Sequence, residues 1–310
     1  MATCARRRGT DGVRHPLVRV AGVTEIAVAP DQVRMWSREI RRSGRSVALV
    51  PTMGALHRGH LALVEHAGRL ADAVVVSIFV NPLQFGDSTD LESYPSPIDD
   101  DVAACAAVGV DMVYAPTSAT MYPSGFDTRV VPGSLASEME GRSRIGHFTG
   151  VATVVAKLFG AVEPDVAVFG EKDFQQLTII RRMVADLDLG VRIESSATVR
   201  DHDGLALSSR NQRLSPVERA AAVAVPHSIA AAREVSHGPA PTVVAVTAAA
   251  RRVLDAEPLA EIDYVAVFDA ETLQLVDRFD DQLRPERYRI GIAVRIGDVR
   301  LIDNAALFEG

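Results

Sequence analysis

Short apolar runs alternate with amphipathic segments through the first two thirds of the chain. Residues 47–50 and 74–80 are mostly aliphatic and lack polar alternation, which is typical of strands buried on both faces. Similar short runs occur at 110–115 and 166–169. Between these runs, apolar residues recur at the spacing of one helix face, for example at positions 151, 154, 155 and 158. The alternation predicts an α/β fold with a Rossmann-like, doubly wound parallel sheet.

The pattern changes after about residue 200. Ser215 has the position of an N-cap, Pro216 follows at the first helical position, and Glu218 lies three residues after the cap. This arrangement is typical of a helix start. We expect one long alanine-rich helix from there to about residue 235, and another helix over about 243–254.

Two further apolar stretches, 262–268 and 289–295, predict strands. Gly297 and Asp298 predict a turn that returns the chain as a hairpin over 299–302. The chain is thus expected to have three parts. They are a flexible N-terminal extension at 1–20, a Rossmann-like domain at 21–199, and a smaller α+β C-terminal domain at 200–310.

Composition and charge narrow the function classes. A length of 310 residues fits about two domains, and 47% hydrophobic with 24% charged residues is typical of a folded protein. The net charge of −7 argues against nucleic acid as the main partner, because a phosphate backbone needs a surplus of lysine and arginine. Cys4 and Cys105 lie in no zinc or disulfide pattern, which favours a reducing compartment.

The N-terminus and the apolar runs indicate a cytoplasmic protein. Arg6, Arg7 and Arg8 are followed by a polar stretch rather than by the apolar core of a secretion signal. No stretch reaches the roughly 18 uninterrupted apolar residues that a membrane span requires. We therefore expect a cytoplasmic location and no membrane partner.

The segment 51–60 lies between a predicted strand and a predicted helix and contains His57, Gly59 and His60. A helix start presents unpaired backbone N–H groups and a partial positive charge, which suit a phosphate. Gly59 would let the chain approach a ligand closely, and the two imidazoles have the spacing to donate to phosphate oxygens. The alternatives are a metal site or ordinary surface histidines, although a zinc site would need further ligands and only His66 is near in sequence. The strand-to-helix position favours nucleotide binding.

Four blocks, in this order, resemble the pantothenate synthetases, a branch of the HxGH nucleotidyltransferase superfamily related in fold to the class I aminoacyl-tRNA synthetases. The first block is 50–61, which contains both histidines. The others are Phe-Val-Asn-Pro-Leu-Gln-Phe-Gly at 79–86, Gly-Glu-Lys-Asp-Phe-Gln-Gln at 170–176, and Asp-Gly-Leu-Ala-Leu-Ser-Ser-Arg-Asn at 203–211. The resemblance extends over about 23–304 with compatible spacing.

The resemblance implies a ligase that activates pantoate as an acyl-adenylate and joins it to β-alanine. ATP would be the co-substrate, Mg²⁺ the cofactor, and the assembly a homodimer. The implied catalytic residues are His57, His60, Lys172, Ser208, Ser209 and Arg210. The implied ATP site consists of Pro51, Thr52, Met53, Gly54, His57, Gly59, His60, Gly170, Lys172, Asp173, Val199, Ser208, Ser209 and Arg210. The implied pantoate site consists of Met53, Asn81, Gln84, Arg144, His147 and Gln176.

The residue types in these blocks suit this chemistry even without the family resemblance, although each also has an ordinary structural interpretation. The Lys172 ammonium neutralises triphosphate charge, or is simply solvated. The amides of Gln84 and Gln176 donate and accept, as a ligand with a carboxylate and hydroxyls requires, or they are surface or capping groups. The Ser208–Ser209–Arg210 run offers two hydroxyls and a guanidinium to a departing pyrophosphate, or forms a generic polar loop.

Asp99, Asp100 and Asp101 follow Pro97 at a predicted helix start. The helix dipole alone favours acidic residues there. The resemblance implies a Mg²⁺ ligand at Asp100 or Asp101, and Mg²⁺ needs only one or two protein carboxylates besides phosphate and water. Helix capping and metal binding stay open as equal alternatives.

The sequence departs from the family pattern at three positions in the matching blocks. Arg58 stands where glutamate is common, Phe174 where tyrosine is common, and Leu207 where methionine is common. An Arg58 side chain directed to solvent would change little. One directed inward should strengthen ATP binding or slow pyrophosphate release.

Two other functions stay open on sequence alone. One is a nucleotidyltransferase that makes a dinucleotide-like product, which the Gln84 and Gln176 blocks disfavour because they belong to a small hydroxy-acid site. The other is a non-catalytic nucleotide-binding protein. Arg58 is the support for that second alternative, while Lys172 and the serine pair count against it.

Overall fold

The computed structural model describes residues 24–86, 91–92, 94–95, 97–280 and 285–308. The extension expected at 1–20 lies outside these residues. The strands are β1 (Glu25–Ala27), β2 (Val47–Thr52), β3 (Ala73–Ile78), β4 (Met112–Tyr114), β5 (Val166–Gly170), β6 (Arg192–Ser196), β7 (Ala260–Asp269), β8 (Tyr288–Ile296) and β9 (Val299–Ala306). The helices are α1 (Pro30–Arg42), α2 (Arg58–Leu70), α3 (Ile98–Ala107), α4 (Ser118–Met121), α5 (Glu140–Ser143), α6 (His147–Val162), α7 (Phe174–Asp186), α8 (Pro216–Ala221), α9 (Ala224–Ser236) and α10 (Val243–Asp255).

Six strands form one parallel sheet in the order β1-β4-β3-β2-β5-β6. Leu49 on β2 pairs with Val75 on β3 and with Ala167 on β5, so β2 lies in the interior of the sheet. The strand order reverses between β2 and β5, and doubly wound sheets bind ligands beyond the carboxyl ends of the strands at such a point. The α/β fold class predicted from the sequence is confirmed.

Helices cover both faces of the parallel sheet. Helices α1, α6 and α7 pack on one face, while α2 and α3 pack on the other. Strand β3 is buried along its whole length because both of its faces are covered, which explains its lack of polar alternation. Among the helices of the described residues, none combines the length and the apolarity needed to cross a bilayer.

Strands β7, β8 and β9 form a second, antiparallel sheet, with α9 and α10 packed against it. Ile296 pairs with Val299 across the turn at Gly297, so the predicted hairpin is present. The two sheets therefore belong to different parts of the chain. The domain boundary placed at about residue 200 stays a prediction.

The prediction of one long helix from 215 to 235 is wrong. The chain forms α8 and α9, separated at Ala222 and Val223. Pro226 lies four residues after Ala222, and a proline ring inside a helix clashes with the carbonyl four residues earlier. The hydrophobic pattern also failed to indicate β1 and β6, because β1 has three residues and β6 is polar and only partly buried.

A buried ion pair joins helix α5 to the antiparallel sheet. The Glu140 carboxylate on α5 accepts hydrogen bonds from both terminal nitrogens of Arg300 on β9, at 2.6 and 2.7 Å. The Tyr264 hydroxyl on β7 donates to the same carboxylate at 2.9 Å. Burial alone would raise the pKa of Glu140, but Arg300 outweighs burial and holds that pKa below its usual value. The pair therefore fixes α5 against the antiparallel sheet.

We expect Arg300→Ala to lower the free energy of unfolding by about 3 kcal/mol, because the buried Glu140 carboxylate loses both Arg300 hydrogen bonds and keeps the Tyr264 hydroxyl and the more distant Arg144. Urea denaturation at neutral pH measures the change. Arg182→Ala is the matched control, since it breaks an exposed ion pair with Asp186 and should cost under about 1 kcal/mol. Equal losses in the two variants would contradict the structural importance of the buried pair.

Candidate active site

A cavity of about 210 Å³ opens at the carboxyl edge of the parallel sheet. Segments that follow β2, β3, β5 and β6 build its wall, together with α6. The residues predicted to bind ATP or pantoate that line it are Pro51, Thr52, Met53, His57, Gly59, His60, Asn81, Gln84, Arg144, His147, Gly170, Lys172, Asp173, Gln176, Val199, Ser208, Ser209 and Arg210. Gly54, Asp100 and Asp101 are not part of the wall. Residues from separate blocks of the chain thus meet in one place.

The histidine motif forms the first turn of α2. His57 is the N-cap residue, and its Nδ1 accepts a hydrogen bond from the Gly59 N–H at 3.1 Å. The Nδ1 of His60 accepts in turn from the His57 N–H at 3.3 Å. Burial lowers the pKa of His57 to about 4, with Lys172 adding to the shift, and burial lowers the pKa of His60 to about 3. Both rings are therefore neutral near pH 7 and carry their proton on Nε2, which is left to donate to a ligand.

Gly59 makes room for the ring of its neighbour. A Cβ atom at this position would lie 2.9 Å from two ring atoms of His57, closer than real Cβ contacts come. The sequence predicted that Gly59 lets a ligand approach the backbone closely. In the structure, the group that approaches the Gly59 backbone closely is the His57 imidazole. Any larger residue at 59 would displace that imidazole.

Asp101 supports the loop that leads into the histidine motif. Its buried carboxylate accepts hydrogen bonds from the backbone N–H groups of Ala55 at 2.8 Å and Leu56 at 2.7 Å. Gly54 has a φ of +86°, and a Cβ atom there would lie 2.8 Å from the Asp101 carboxylate, so only glycine fits. Burial raises the pKa of Asp101, and the two backbone hydrogen bonds oppose that rise. Asp101 and Gly54 thus determine the conformation of the loop without lining the cavity.

The placement of Asp100 and Asp101 conflicts with their expected role as Mg²⁺ ligands in the nucleotide site. Asp100 is exposed at the start of α3, and both Asp101 oxygens already accept backbone hydrogen bonds. Neither residue lines the cavity. Of the two alternatives left open for this cluster, the contacts of Asp101 favour the structural one, with the carboxylate directed at a loop 45 residues earlier in the chain.

Asn81 orients Gln84 at the turn after β3. The Asn81 amide donates to the Gln84 side-chain oxygen at 3.0 Å and to the Gly150 carbonyl at 3.1 Å, and it accepts from the Tyr122 hydroxyl at 2.7 Å. A Cβ atom at Gly150 would lie 2.3 Å from the Leu83 carbonyl oxygen, so the glycine lets α6 pack directly on this turn. The Gln84 amide is therefore held in one orientation at the cavity wall.

Arg144 and His147 are tied to the same turn. The His147 Nδ1 donates to the Gln84 backbone carbonyl at 2.8 Å, and its Nε2 accepts from Arg144 at 3.3 Å. Arg144 also donates to that carbonyl at 3.3 Å and lies 3.8 Å from the Glu140 carboxylate. Burial lowers the pKa of His147 to about 4, and the positive charge of Arg144 adds to the shift. His147 is therefore a neutral support for a guanidinium that faces the cavity.

Lys172 and Asp173 form a charged part of the wall. They lie in the 3-10 turn between β5 and α7, with the Lys172 ammonium 3.5 Å from the Asp173 carboxylate. Burial opposes ionisation of Asp173, but Lys172 and Arg210 outweigh burial and keep its pKa below the usual value. Gln176, in the first turn of α7, lines the same cavity. A triphosphate bound in this cavity would face the positive charges of Lys172 and Arg210.

The Ser208–Arg210 segment contacts a residue that sequence reasoning missed. Ser208 accepts the Arg210 N–H at 3.3 Å and so caps the turn. The buried Ser209 hydroxyl shares a hydrogen bond with the Tyr94 hydroxyl at 2.9 Å, and the Arg210 guanidinium lies 5.7 Å from the centre of the Tyr94 ring. Tyr94 stands in a proline- and serine-rich stretch without a recognisable motif, so the sequence carried no signal for it.

Arg58 points away from the cavity. Its side chain is 72% exposed, and its guanidinium lies 3.4 Å from the Asp201 carboxylate. The outward alternative considered for this residue is therefore the one that the structure shows. The reversed charge in the histidine motif stays at the surface.

We expect His57 and His60 to remain neutral between about pH 5 and 8 in the ligand-free protein, because burial holds both pKa values well below 6.5. The free energy of unfolding should therefore fall as the pH drops from 6.5 towards about 4, since the unfolded chain takes up protons there that the buried rings do not. NMR spectra of histidine labelled with ¹⁵N, recorded across this range, report the charge of each ring. A midpoint near 6.5 for either residue would contradict the assignment of fixed Nε2–H donors.

Known proteins resemble this chain over almost its whole length. The sequence matches the family described as pantoate-β-alanine ligase over residues 25–306. A pantothenate synthetase of Mycolicibacterium smegmatis is 48% identical over 295 residues, covering 94% of this chain and 90% of that protein. Another from Rhizorhabdus wittichii is 49% identical over 279 residues, covering 89% of this chain and 96% of that protein.

Solved structures agree in fold. Pantothenate synthetase from Thermus thermophilus has a TM-score of 0.86 and 44% identity, covering 92% of this chain and 100% of that one. The pantoate-β-alanine ligase of Francisella tularensis, complexed with βγ-ATP and β-alanine, has a TM-score of 0.76 and 32% identity, covering 93% and 99%. With matched motifs, fold and nearly full-length relatives, the chain belongs to the pantoate–β-alanine ligase family, the pantothenate synthetases.

Proposed function

We propose that the residues of this cavity carry out both steps by which the ligase makes pantothenate from pantoate, β-alanine and ATP. In the first step, a pantoate carboxylate oxygen attacks the α-phosphorus of ATP, and the bond to pyrophosphate breaks. In the second step, the β-alanine amine attacks the acyl carbon, loses a proton and displaces AMP. The observation that carries these assignments is that both histidines, Lys172 and the serine–arginine turn meet Gln84 and Gln176 in one cavity.

The first step needs charge stabilisation and alignment more than covalent help. The Nε2–H groups of His57 and His60 are neutral donors in fixed positions, so they can bind phosphate oxygens without a proton being taken up. Lys172 and Arg210 add positive charge where the departing pyrophosphate gains negative charge. Holding the two reacting groups in line supplies up to about 7–11 kcal/mol of the barrier reduction.

Pantoate suits the part of the cavity near Gln84, Gln176 and Arg144. The amides offer both donors and acceptors for hydroxyls and a carboxylate, and Arg144 offers a cation. Residues on α6 form an apolar wall beside them, which suits the methyl groups of pantoate. The residues of this apolar wall have the helical spacing noted in the sequence, and they are Val151, Val154, Val155 and Leu158.

The second step depends on delivery of a neutral amine. Among the described cavity residues, none is placed as a strong base. His57 and His60 already accept at Nδ1, and His147 accepts from Arg144. Asp173 has a pKa below the usual value and is a weak base. We propose that the enzyme binds the free amine of β-alanine and relies on the activated acyl-adenylate, with water excluded from the cavity.

Mg²⁺ fits this site as an ion that ATP would bring, with a single protein carboxylate beside it. Asp173 is the sole carboxylate among the described residues that line the cavity, and Mg²⁺ with nucleotides typically takes one or two carboxylates, phosphate oxygens and water. Elsewhere in the described residues, Asp201, His202 and Asp203 are close enough to share an ion, but both carboxylates already pair with Arg219. When bound, Mg²⁺ would neutralise phosphate charge, with Asp173 as the protein group that holds it.

The resemblance to the family also leads us to propose a homodimer that works in the cytoplasm, where ATP is available. Light scattering at micromolar concentration measures the mass in solution, and a monomeric mass would refute the dimer. Cell fractionation tests the location.

The reaction itself is tested by measuring AMP and pyrophosphate release from Mg·ATP and pantoate, with and without β-alanine. We expect sustained AMP release when both acids are present, and about one pyrophosphate per site when β-alanine is omitted, because the acyl-adenylate stays bound. Pyrophosphate release that does not require pantoate would support another nucleotidyltransferase activity. Tight ATP binding without turnover would support a non-catalytic protein.

We expect His57→Ala and Lys172→Ala each to slow turnover by about a hundredfold or more, since loss of one well-placed donor typically costs about 2.7–4 kcal/mol of transition-state stabilisation. Both variants should still fold, with Lys172→Ala close to the normal melting temperature and His57→Ala moderately lower, because His57→Ala also removes the N-cap of α2. Arg58→Ala is the matched control next to His57, and its outward side chain predicts near-normal turnover. Near-normal turnover of either test variant would refute its catalytic role.

A further inference from the structure

Asn304 connects the antiparallel sheet to the turn that carries Lys172. It lies on β9, and its side chain is buried. Its amide nitrogen donates two hydrogen bonds, to the backbone carbonyls of Glu171 and Lys172, each at 3.0 Å. Both carbonyls lie before the first residue of α7, in the 3-10 turn at the cavity wall. A residue 132 positions away thus holds the backbone of Lys172 directly.

The orientation of the Asn304 amide is fixed from its other side. Its oxygen accepts from two nitrogens of Arg289, at 3.2 and 2.7 Å. A guanidinium only donates hydrogen bonds, so the amide oxygen must face Arg289 and the NH₂ group must face the two carbonyls. The Arg289 guanidinium also stacks on the ring of Phe174, with 4.0 Å to the centroid. Phe174 follows the turn directly, so Arg289 and Asn304 together hold the turn and the residue after it.

The preceding residue on β9 reaches the other catalytic segment. The buried Asp303 carboxylate accepts from two nitrogens of Arg200, at 2.6 and 3.0 Å, and Arg200 also donates to the Gly204 carbonyl at 3.0 Å. Arg200 and Gly204 belong to the short loop that leads into Ser208. Successive side chains of a strand point to opposite faces, which lets Asp303 and Asn304 hold two different segments.

We propose that Asn304 is a positioning residue for the adenylation step. It acts through the Glu171 and Lys172 carbonyls to fix the backbone from which the Lys172 ammonium meets the triphosphate. This inference rests on the proposed role of Lys172. Misplacement of a catalytic group by about 1 Å costs on the order of a hundredfold in rate, so a turn held by two hydrogen bonds is sensitive to their loss.

Asn304→Asp is the first test, because it keeps the size of the side chain and the contact with Arg289 but removes both donors to the carbonyls. We expect pyrophosphate release to slow by roughly 10- to 100-fold while KM for pantoate changes much less, since Gln84 and Arg144 keep their contacts and only Gln176 lies next to the turn. Arg287→Ala is the matched control. It breaks the ion pair with Asp269 on the same sheet, away from the cavity, and should leave turnover unchanged at a similar loss of stability.

Melting temperatures of all variants separate stability from rate. If Asn304→Asp fails to fold, Asn304→Ala carries the same test, because it also removes both donors but places no carboxylate beside the two carbonyls. An Asn304 variant that is folded and turns over at the normal rate would overturn the inference. A slow Arg287→Ala control would also overturn it, since general loosening of the sheet would then explain the effect.

A double-variant cycle shows whether Asn304 acts through Lys172. The rate of Lys172→Ala/Asn304→Ala should equal that of Lys172→Ala alone, because there is no ammonium left to position. Effects that multiply would overturn the inference while leaving the role of Lys172 intact. Near-normal turnover of Lys172→Ala alone would instead refute the role of Lys172, and the inference with it. The two failures are therefore distinguishable.

Discussion

Six strands that run in the same direction are the constraint on which the site depends. Parallel strands bring all of their carboxyl ends to one edge, so segments far apart in the chain meet there without any further device. The histidine motif follows β2, the Gln84 turn follows β3, the Lys172 turn follows β5, and the Ser208 segment comes after β6. What the edge does not provide is the orientation of each side chain. Buried polar groups behind the wall supply it.

Those supporting groups share one physical principle, which is that a buried polar atom keeps its place when all its hydrogen-bonding capacity is used. Asp101 fixes the loop before the histidines, Asn81 fixes Gln84, and Asn304 fixes the Lys172 turn. The same principle sets the tautomers of His57 and His60, because each Nδ1 is occupied by a backbone N–H. The cavity therefore presents cations and neutral donors to a polyanion, and near neutral pH its charge does not depend on the protonation of histidine.

Much of this could be predicted from the sequence because the signals are local. The alternation of buried runs and amphipathic segments indicated the parallel sheet, and four blocks of seven to twelve residues indicated the site through their resemblance to a known family. The break at Ala222 also had a local signal, Pro226, which the alanine-rich pattern outweighed in the prediction. Asp101 and Asn304 could not be assigned in this way. Their partners lie 45 and 132 residues away, and a single acidic or amide residue has several equally ordinary uses.

The outward direction of Arg58 bears on how members of this family are recognised. The side chain between the two histidines reaches solvent and meets Asp201, so the loop geometry is set by Gly54, Gly59 and Asp101 and is indifferent to what position 58 carries. A search pattern that demands an acidic residue there would overlook this chain, although both histidines and the glycine of the motif are present. The informative positions of the motif are those that the loop geometry requires, such as Gly54 and Gly59. A pattern built on these positions would accept a residue of either charge at position 58.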